Sequence, residues 1–484
     1  MQATLTILID GLTYASWLFI VAVGLTLVFG VLKILNIAHG SFYALGAYGA
    51  ATMVAWFASM KFAPWMSLVA MLLAAVAVAV ILAPLTERGL MRSFYGRDEV
   101  LLVLVTYAMF LILEDATKLI RGGLNRSNFR EQSEPIYLTQ AFTYESAAAC
   151  DELFDKGNGF VYSRYANPTT KMFEDRLALL EGADICKATA SGMAAIHVAL
   201  QGLLRAGDHV VAGRALFGSC RWILSEWLPR FGVETTVVDA IDLDAWKNAL
   251  RPNTKVFLVE TPANPLLEIT DIQAVADIAH AAGAKLIVDN VFATPIFQKP
   301  LTFGADIVVY SATKHIDGQG RVLGGAILGG ETLMNESYKD IIRHTGPALS
   351  PFNAWILLKG LETLELRVTR QTENAAKLAD LIADHPRVRS CLYPGRTDHP
   401  QAEIVKRQMT GGGTVVAFDL GTREAAWNFL DKLAIVDISN NLGDAKSMAT
   451  HPSTTTHRSM GEEEPLKIGL TEGWVRISVG LEGI

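Results

Sequence analysis

The hydrophobic residues divide the chain into two parts with different patterns. Only three charged side chains interrupt the first 86 residues: Asp10, Lys33 and Lys61. The apolar runs between and after them lie at residues 11–32, 34–60 and 62–86. A helix of about 20 apolar residues can cross a bilayer, and a fourth run at 100–113 is short enough to be a buried or re-entrant helix instead. The pattern predicts an all-α transmembrane segment over residues 1–115.

From about residue 176 onwards, short apolar runs alternate with segments of helical period. The runs are rich in β-branched residues and read HVVAG at 209, TTVVDA at 235, KVFLVE at 255, KLIVDN at 285 and DIVVYS at 306. Helix-period segments such as DIQAVADIAHAAG separate them. This alternation is typical of a mainly parallel sheet covered by helices on both faces. We therefore predict an α/β fold for this part.

Polar and small residues follow these strands. They are Asp289 after KLIV, Ser311, Thr313 and Lys314 after DIVVY, Asn264 after KVFLVE, and Gly192, which opens a helix in SGMAA. In such sheets ligands bind beyond the carboxyl ends of the strands, so we expect these groups to meet at one edge.

The chemistry of this group of residues indicates pyridoxal phosphate. A helix N-terminus and hydroxyl groups suit a phosphate. A carboxylate can hold a protonated ring nitrogen, and a lysine with a depressed pKa can form a Schiff base. Covalent attachment of the cofactor to Lys314 would also remove the cost of burying its ammonium charge.

Composition narrows the function classes further. The net charge is -7 and the isoelectric point is about 5.9, so no basic surface argues for a nucleic-acid partner. The four cysteines are scattered, and no cysteine or histidine group has the spacing of a metal site. We expect free thiols in a reducing cytoplasm and no bound metal.

Six motifs resemble those of the Cys/Met-metabolism enzymes that depend on pyridoxal phosphate. They are YSRYANPT at 162, SGMAA at 191, TPANP at 261, VDN at 288, SATKH at 311 and RISVGLE at 476. The resemblance implies the aspartate-aminotransferase-like fold (fold type I) and a homotetramer. It divides this part into an N-terminal arm (116–175), a large cofactor-binding domain (176–366) and a smaller C-terminal α/β domain (367–484). Relatives continue for a further short helix, so we expect looser packing around Arg476.

The same resemblance assigns roles to residues. It makes Lys314 the Schiff-base lysine, Asp289 the partner of the pyridine nitrogen and Phe217 the residue stacked on the ring, where many relatives have tyrosine. Asn264 would contact the ring oxygen. The phosphate would be held by Ser191, Gly192, Met193, Ser311 and Thr313, and by Tyr162 and Arg164 of a neighbouring subunit. Arg476 and Asn441 would bind the substrate, Arg476 through its α-carboxylate.

The activity implied is a replacement at the γ carbon of an O-acylhomoserine, with sulfide as the incoming group. Two segments, RALFGSC at 214 and ISNNLGDAKSMATHPSTTTH at 438, most resemble the family members that act on the succinyl ester, so this resemblance implies succinate as the leaving group. The acetyl ester, cysteine as donor and γ-elimination remain alternatives within the family.

The N-terminal stretch GLTYASWLFIVAVGLTLVFGVLKILNIAHGSFYALGAY resembles the start of the membrane permease of branched-chain amino-acid ABC transporters. The resemblance covers about 115 residues and lacks the part that docks onto the ATPase. A chimeric chain with a cytoplasmic enzyme is therefore expected, associated with membrane lipid of the bacterial inner membrane where the segment inserts. A transport subunit and a membrane-tethered enzyme are the alternatives.

Overall fold

The computed structural model describes residues 118–157, 159–458 and 466–483, together with the single residue Met66. The chain separates into two compact units, residues 1–117 and 118–484. The predicted membrane segment therefore lies, apart from Met66, outside the described residues. Across the residues that are described, no helix combines the length and apolar character needed to cross a membrane.

A seven-stranded sheet forms the centre of the second unit. Its strands are β1 (Ile185–Thr189), β2 (His209–Gly213), β3 (Glu234–Val238), β4 (Thr254–Glu260), β5 (Lys285–Asp289), β6 (Ile307–Ser311) and β7 (Gly325–Gly329), in the order β1-β7-β6-β5-β4-β2-β3. All neighbouring pairs are parallel except those of β7, which runs antiparallel to both β1 and β6. The five strands predicted from the apolar runs are confirmed as β2 to β6, and the predicted α/β sheet is mainly parallel.

Helices precede, connect and follow these strands, and several of them pack on the two faces of the sheet. The helices are α1 (Ala147–Lys156), α2 (Pro168–Glu181), α3 (Gly192–Leu203), α4 (Gly218–Trp222), α5 (Leu243–Asn248), α6 (Ile272–Ala281), α7 (Thr294–Phe297), α8 (Glu331–Leu333), α9 (Lys339–Thr345) and α10 (Pro351–Leu361). One apolar cluster joins α2, α6 and α10 to the sheet, and a second joins α3 to it. Successive residues of β4 point to opposite faces of the sheet, so Phe257 belongs to the first cluster and Leu258 to the second. Both faces of the strand are thus buried.

A second, five-stranded sheet follows. It contains β8 (Ser390–Leu392), β9 (Val415–Asp419), β10 (Asp437–Ile438), β11 (Met448–Thr450) and β12 (Trp474–Ser478), in the order β10-β11-β12-β9-β8. The helices α11 (Leu364–Ala383), α12 (Ala402–Gln408) and α13 (Arg423–Leu430) accompany it. A third apolar cluster, which includes Phe418 and Ile477, lies between this sheet and helices α11 and α13.

Strand register brings the ends of β4, β5 and β6 to one edge of the first sheet. Glu260 at the end of β4 pairs with Asp289 at the end of β5. Ser311 at the end of β6 pairs with Gly325, the first residue of antiparallel β7. The chain that leaves this edge after Ser311 therefore returns to it at Gly325.

Candidate active site

A cavity of about 240 Å³ lies at this edge of the sheet. Ten of the residues predicted from the sequence line it: Ser191, Gly192, Met193, Phe217, Asn264, Asp289, Ser311, Thr313, Lys314 and Arg476. The ionisable acidic and basic side chains in the described lining are two carboxyl groups, Glu260 and Asp289, and two basic groups, Lys314 and Arg476.

Lys314 lies in the short turn that follows β6. Its Nζ donates a hydrogen bond to Oδ1 of Asn441 at 2.6 Å, which links the predicted lysine to the C-terminal part of the chain. Burial, together with the positive charge of Arg476, lowers the pKa of Lys314 from 10.5 to about 8. A substantial fraction of the amine is therefore neutral near pH 8, as a nucleophile or a base requires.

Two carboxyl groups stand side by side at the ends of β4 and β5. Asp289 accepts the backbone N–H of Val291 at 3.1 Å, and burial raises the pKa of its carboxyl above the ordinary range. Burial and the charge of Asp289 likewise raise the pKa of Glu260. We did not single out Glu260 from the sequence, although its position at the end of KVFLVE was the signal that identified Asp289 at the end of KLIVD.

The N-terminus of α3 lies against the end of β6. Ser191 caps this helix, its Oγ accepting the backbone N–H of Ala194 at 3.1 Å. A Cβ atom added to Gly192 would come within 2.5 Å of the Ser311 Cβ, so only glycine permits this approach. Thr313 is fixed by Gly324: its Oγ1 donates to the carbonyl oxygen at 3.2 Å and accepts the N–H at 3.1 Å. Small residues, hydroxyls and a helix N-terminus thus come together.

Arg476 on β12 lines the cavity from the second sheet and contributes a guanidinium group. It is 1% exposed and donates to Asn264 Oδ1 at 2.8 Å, Asn440 O at 3.0 Å and Asn441 O at 3.2 Å. Its buried Nε has no hydrogen-bond partner within the described structure. Because a guanidinium can only donate, the Asn264 atom facing it must be the oxygen, which leaves the Asn264 NH₂ group to serve as a donor elsewhere.

Three predicted residues are not among the described residues that line the cavity. One of them, Asn441, still contacts it through its hydrogen bond with Lys314. The other two are Tyr162 and Arg164. The Arg164 guanidinium lies 4.7 Å from the ring centre of Tyr165 and donates to the backbone oxygen of Arg343. Tyr162 is 38% exposed. Their predicted contribution to a neighbouring subunit stays a prediction.

The residues that line the cavity fit pyridoxal phosphate. The glycine-only contact at Gly192 leaves backbone and hydroxyl groups accessible to a phosphate. Asp289 supplies a buried carboxylate for a ring N–H, and Lys314 supplies an amine of lowered pKa. The unpartnered Nε of Arg476 is suited to a carboxylate of a substrate.

This fold and this set of side chains define a pyridoxal-phosphate-dependent enzyme of fold type I. The chain belongs to the Cys/Met metabolism PLP-dependent enzyme family, whose model matches residues 116–484.

The similar proteins agree with this class. The chain is 54% identical over 376 residues to an O-succinylhomoserine sulfhydrylase of Mycobacterium tuberculosis, covering 76% of this chain and 93% of that protein. It is 45% identical over 370 residues to an O-succinylhomoserine sulfhydrylase of Pseudomonas aeruginosa, covering 76% and 92%. A solved structure of a putative O-acetylhomoserine (thiol)-lyase from Campylobacter jejuni, with pyridoxyl-lysine monophosphate, superimposes with a TM-score of 0.74 at 31% identity, covering 76% and 96%.

A second family model matches the start of the chain. Residues 7–150 match the permease component of the branched-chain amino acid transport system. This is a similarity of under one third of the chain, and it agrees with the resemblance found in the N-terminal sequence.

Proposed function

We propose that residues 116–484 catalyse γ-replacement on O-succinylhomoserine, with sulfide as nucleophile and homocysteine and succinate as products. The observation that carries this proposal is the 54% identity, over nearly the whole enzyme part, to a protein named O-succinylhomoserine sulfhydrylase. Relatives named L-methionine γ-lyase and cystathionine γ-lyase are 38–40% identical. The higher sequence identity to the sulfhydrylases than to the lyases favours the sulfhydrylase activity for this chain.

Different side chains of the cavity would bind different parts of the cofactor. Asp289 would hold the ring nitrogen, Phe217 would stack on the ring, and the Asn264 NH₂ would donate to the ring oxygen. The N-terminus of α3 and the Ser311 and Thr313 hydroxyls would bind the phosphate. When bound, pyridoxal phosphate supplies an electron sink that makes hydrogens next to the substrate's amine-bearing carbon acidic.

Arg476 and Lys314 act on the substrate itself. Arg476 binds the α-carboxylate and so fixes the α carbon beside Nζ of Lys314. With its pKa lowered to about 8, this amine can take up a proton from Cα and return it later. The bond from Cγ to the ester oxygen breaks as succinate leaves, and a Cγ–S bond to sulfide replaces it.

The test compares competing substrates on the purified protein. O-succinylhomoserine plus sulfide should give homocysteine faster than O-acetylhomoserine plus sulfide, and faster than breakdown of methionine or cystathionine. Product should be measured by thiol chromatography, with the Lys314→Ala variant as the inactive control. Faster release of methanethiol from methionine would contradict the proposal and identify a γ-lyase.

We also propose that the enzyme part assembles as a homotetramer in the cytoplasm and that residues 1–115 contact membrane lipid where they insert. The match to a permease model supports a membrane segment. The division into two units at residue 117 supports a separate enzyme part. Membrane flotation of the full chain and the mass of the enzyme part in solution would test these points.

A further inference from the structure

Glu260 is a buried carboxylate in the cavity wall with two backbone partners. It ends β4, which lies between β5 and β2, and its side chain is 5% exposed. Its Oε2 accepts the backbone N–H of Phe217 at 2.8 Å, and its Oε1 accepts the backbone N–H of Asn264 at 2.9 Å. Both oxygens are thus used to hold chain segments that carry predicted cofactor contacts.

These two hydrogen bonds connect three parts of the site. Phe217 precedes α4, and Asn264 lies in the connection that follows β4, so neither is fixed by the ladder of the sheet itself. The Asn264 side chain is held in addition by Arg476. Removal of the Glu260 carboxylate would leave two N–H groups without their acceptor in a buried place, where an unsatisfied donor is strongly unfavourable.

The position of Glu260 also matters electrostatically. It pairs in register with Asp289, so two carboxyl groups face one end of the cavity. Within a buried site, two adjacent anions repel each other and each gains from a cation placed between or beside them. A protonated ring nitrogen at Asp289 would be such a cation.

We propose that Glu260 is a positioning residue of the active site. Its carboxylate holds the backbone of Phe217 and Asn264 in place around the cofactor ring, and its negative charge favours the protonated state of the bound cofactor. This inference rests on the proposed placement of the cofactor in the cavity and is independent of which acyl group leaves.

The test compares Glu260→Gln with Glu268→Gln. Glutamine can accept one of the two backbone N–H groups but presents its own NH₂ group to the other. Glu268 is a matched control because it is a half-buried carboxylate in the same connection, and burial also raises its pKa, to about 7. In the cofactor-free protein, hydrogen–deuterium exchange of peptides that contain Phe217 and Asn264 should accelerate about tenfold or more at one of these amides in Glu260→Gln, and stay unchanged in Glu268→Gln.

In the cofactor-loaded protein, the pH midpoint of the visible absorption band provides a second measurement. Loss of a nearby negative charge disfavours the protonated chromophore, so the midpoint should fall in Glu260→Gln, by roughly half a pH unit or more. Unchanged amide exchange and an unchanged midpoint would overturn the proposal, as would equal changes in the control.

A variant that keeps the negative charge separates the effect of the charge from that of the backbone hydrogen bonds. The same variant takes the place of Glu260→Gln if Glu260→Gln fails to fold. Glu260→Asp should keep the midpoint of the wild type while accelerating amide exchange, because the shorter side chain cannot reach both N–H groups. If these amides exchanged in Glu260→Asp at the wild-type rate, the proposal that the Glu260 carboxylate holds the two backbone segments in place would be refuted. If the cofactor did not occupy this cavity, Lys314→Ala would retain the visible band, whereas the exchange measurement on cofactor-free protein would still report on Glu260.

Discussion

Replacement of Lys314 by methionine should stabilise the cofactor-free protein at neutral pH while abolishing activity. The pKa of Lys314 is lowered from 10.5 to about 8, mainly by burial. A shift of one pKa unit corresponds to about 1.4 kcal/mol of free energy. Keeping the Lys314 ammonium charged in the folded state at pH 7 therefore costs about 3 kcal/mol of stability. Methionine has a similar unbranched shape but loses the hydrogen bond to Asn441, worth about 1 kcal/mol. The net stabilisation expected for Lys314→Met is about 2 kcal/mol.

The advantage of the variant should disappear at high pH. Between pH 8 and 10.5 the folded wild type has released the Lys314 proton, whereas the unfolded chain still binds it. The free energy of unfolding of the wild type therefore rises with pH through this window. The variant has no such group, so the difference between the two proteins should shrink and then change sign near the upper end of the window.

The assay is urea unfolding of both cofactor-free proteins, followed by tryptophan fluorescence, at several pH values from 7 to 10.5. Other titrating groups contribute equally to both proteins and cancel in the difference. A Lys314→Met protein that is less stable than the wild type at pH 7, with a difference that stays constant to pH 10.5, would refute the reasoning about the buried charge.

Three further predictions concern the cofactor and the two parts of the chain. Borohydride reduction of the wild type should fix the cofactor to Lys314, and Lys314→Ala should lack the bound visible band; a retained band would contradict the attachment. Asp289→Asn should bind cofactor but lose turnover by about 100-fold or more, because the ring nitrogen loses its anionic partner; near-normal turnover would exclude that role. A chain that begins near Thr117 should bind cofactor and keep the sulfhydrylase activity proposed above, measured as activity per bound cofactor; an inactive but cofactor-loaded chain would make residues 1–116 a working part of the enzyme.

The sequence predicted the first sheet better than the second because the two sheets carry signals of different strength. Strands β4, β5 and β6 are five to seven residues long, and each contains a continuous run of three or four apolar residues, VFLV, LIV and IVVY, that is buried and so is easy to recognise. In the second sheet β8 has three residues and β10 only two, too few for a period to emerge. Their pairing depends on contacts between segments far apart in the chain, and such contacts leave no local pattern.

The predicted site shows a similar division. Residues at strand ends, such as Asp289 and Lys314, were found because a parallel sheet brings those ends together. Glu260 occupies an equivalent place but was not singled out, since a glutamate after a strand is unremarkable until its two backbone partners are seen. The hydrogen bond between Lys314 and Asn441 spans 127 residues and follows only from how the second sheet packs on the first.

The cavity draws its parts from two separate stretches of the chain, and this has a use in engineering. The groups suited to the cofactor come from the first sheet and its connections. Arg476 and Asn441, the residues predicted to bind the substrate, come from the second sheet and its loops. Libraries confined to the segment from 438 to 458 should therefore alter which ester or thiol is accepted while leaving cofactor retention intact. The same separation lets substitutions near the C-terminal end of the chain change the substrate during evolution while the residues that bind the cofactor stay the same.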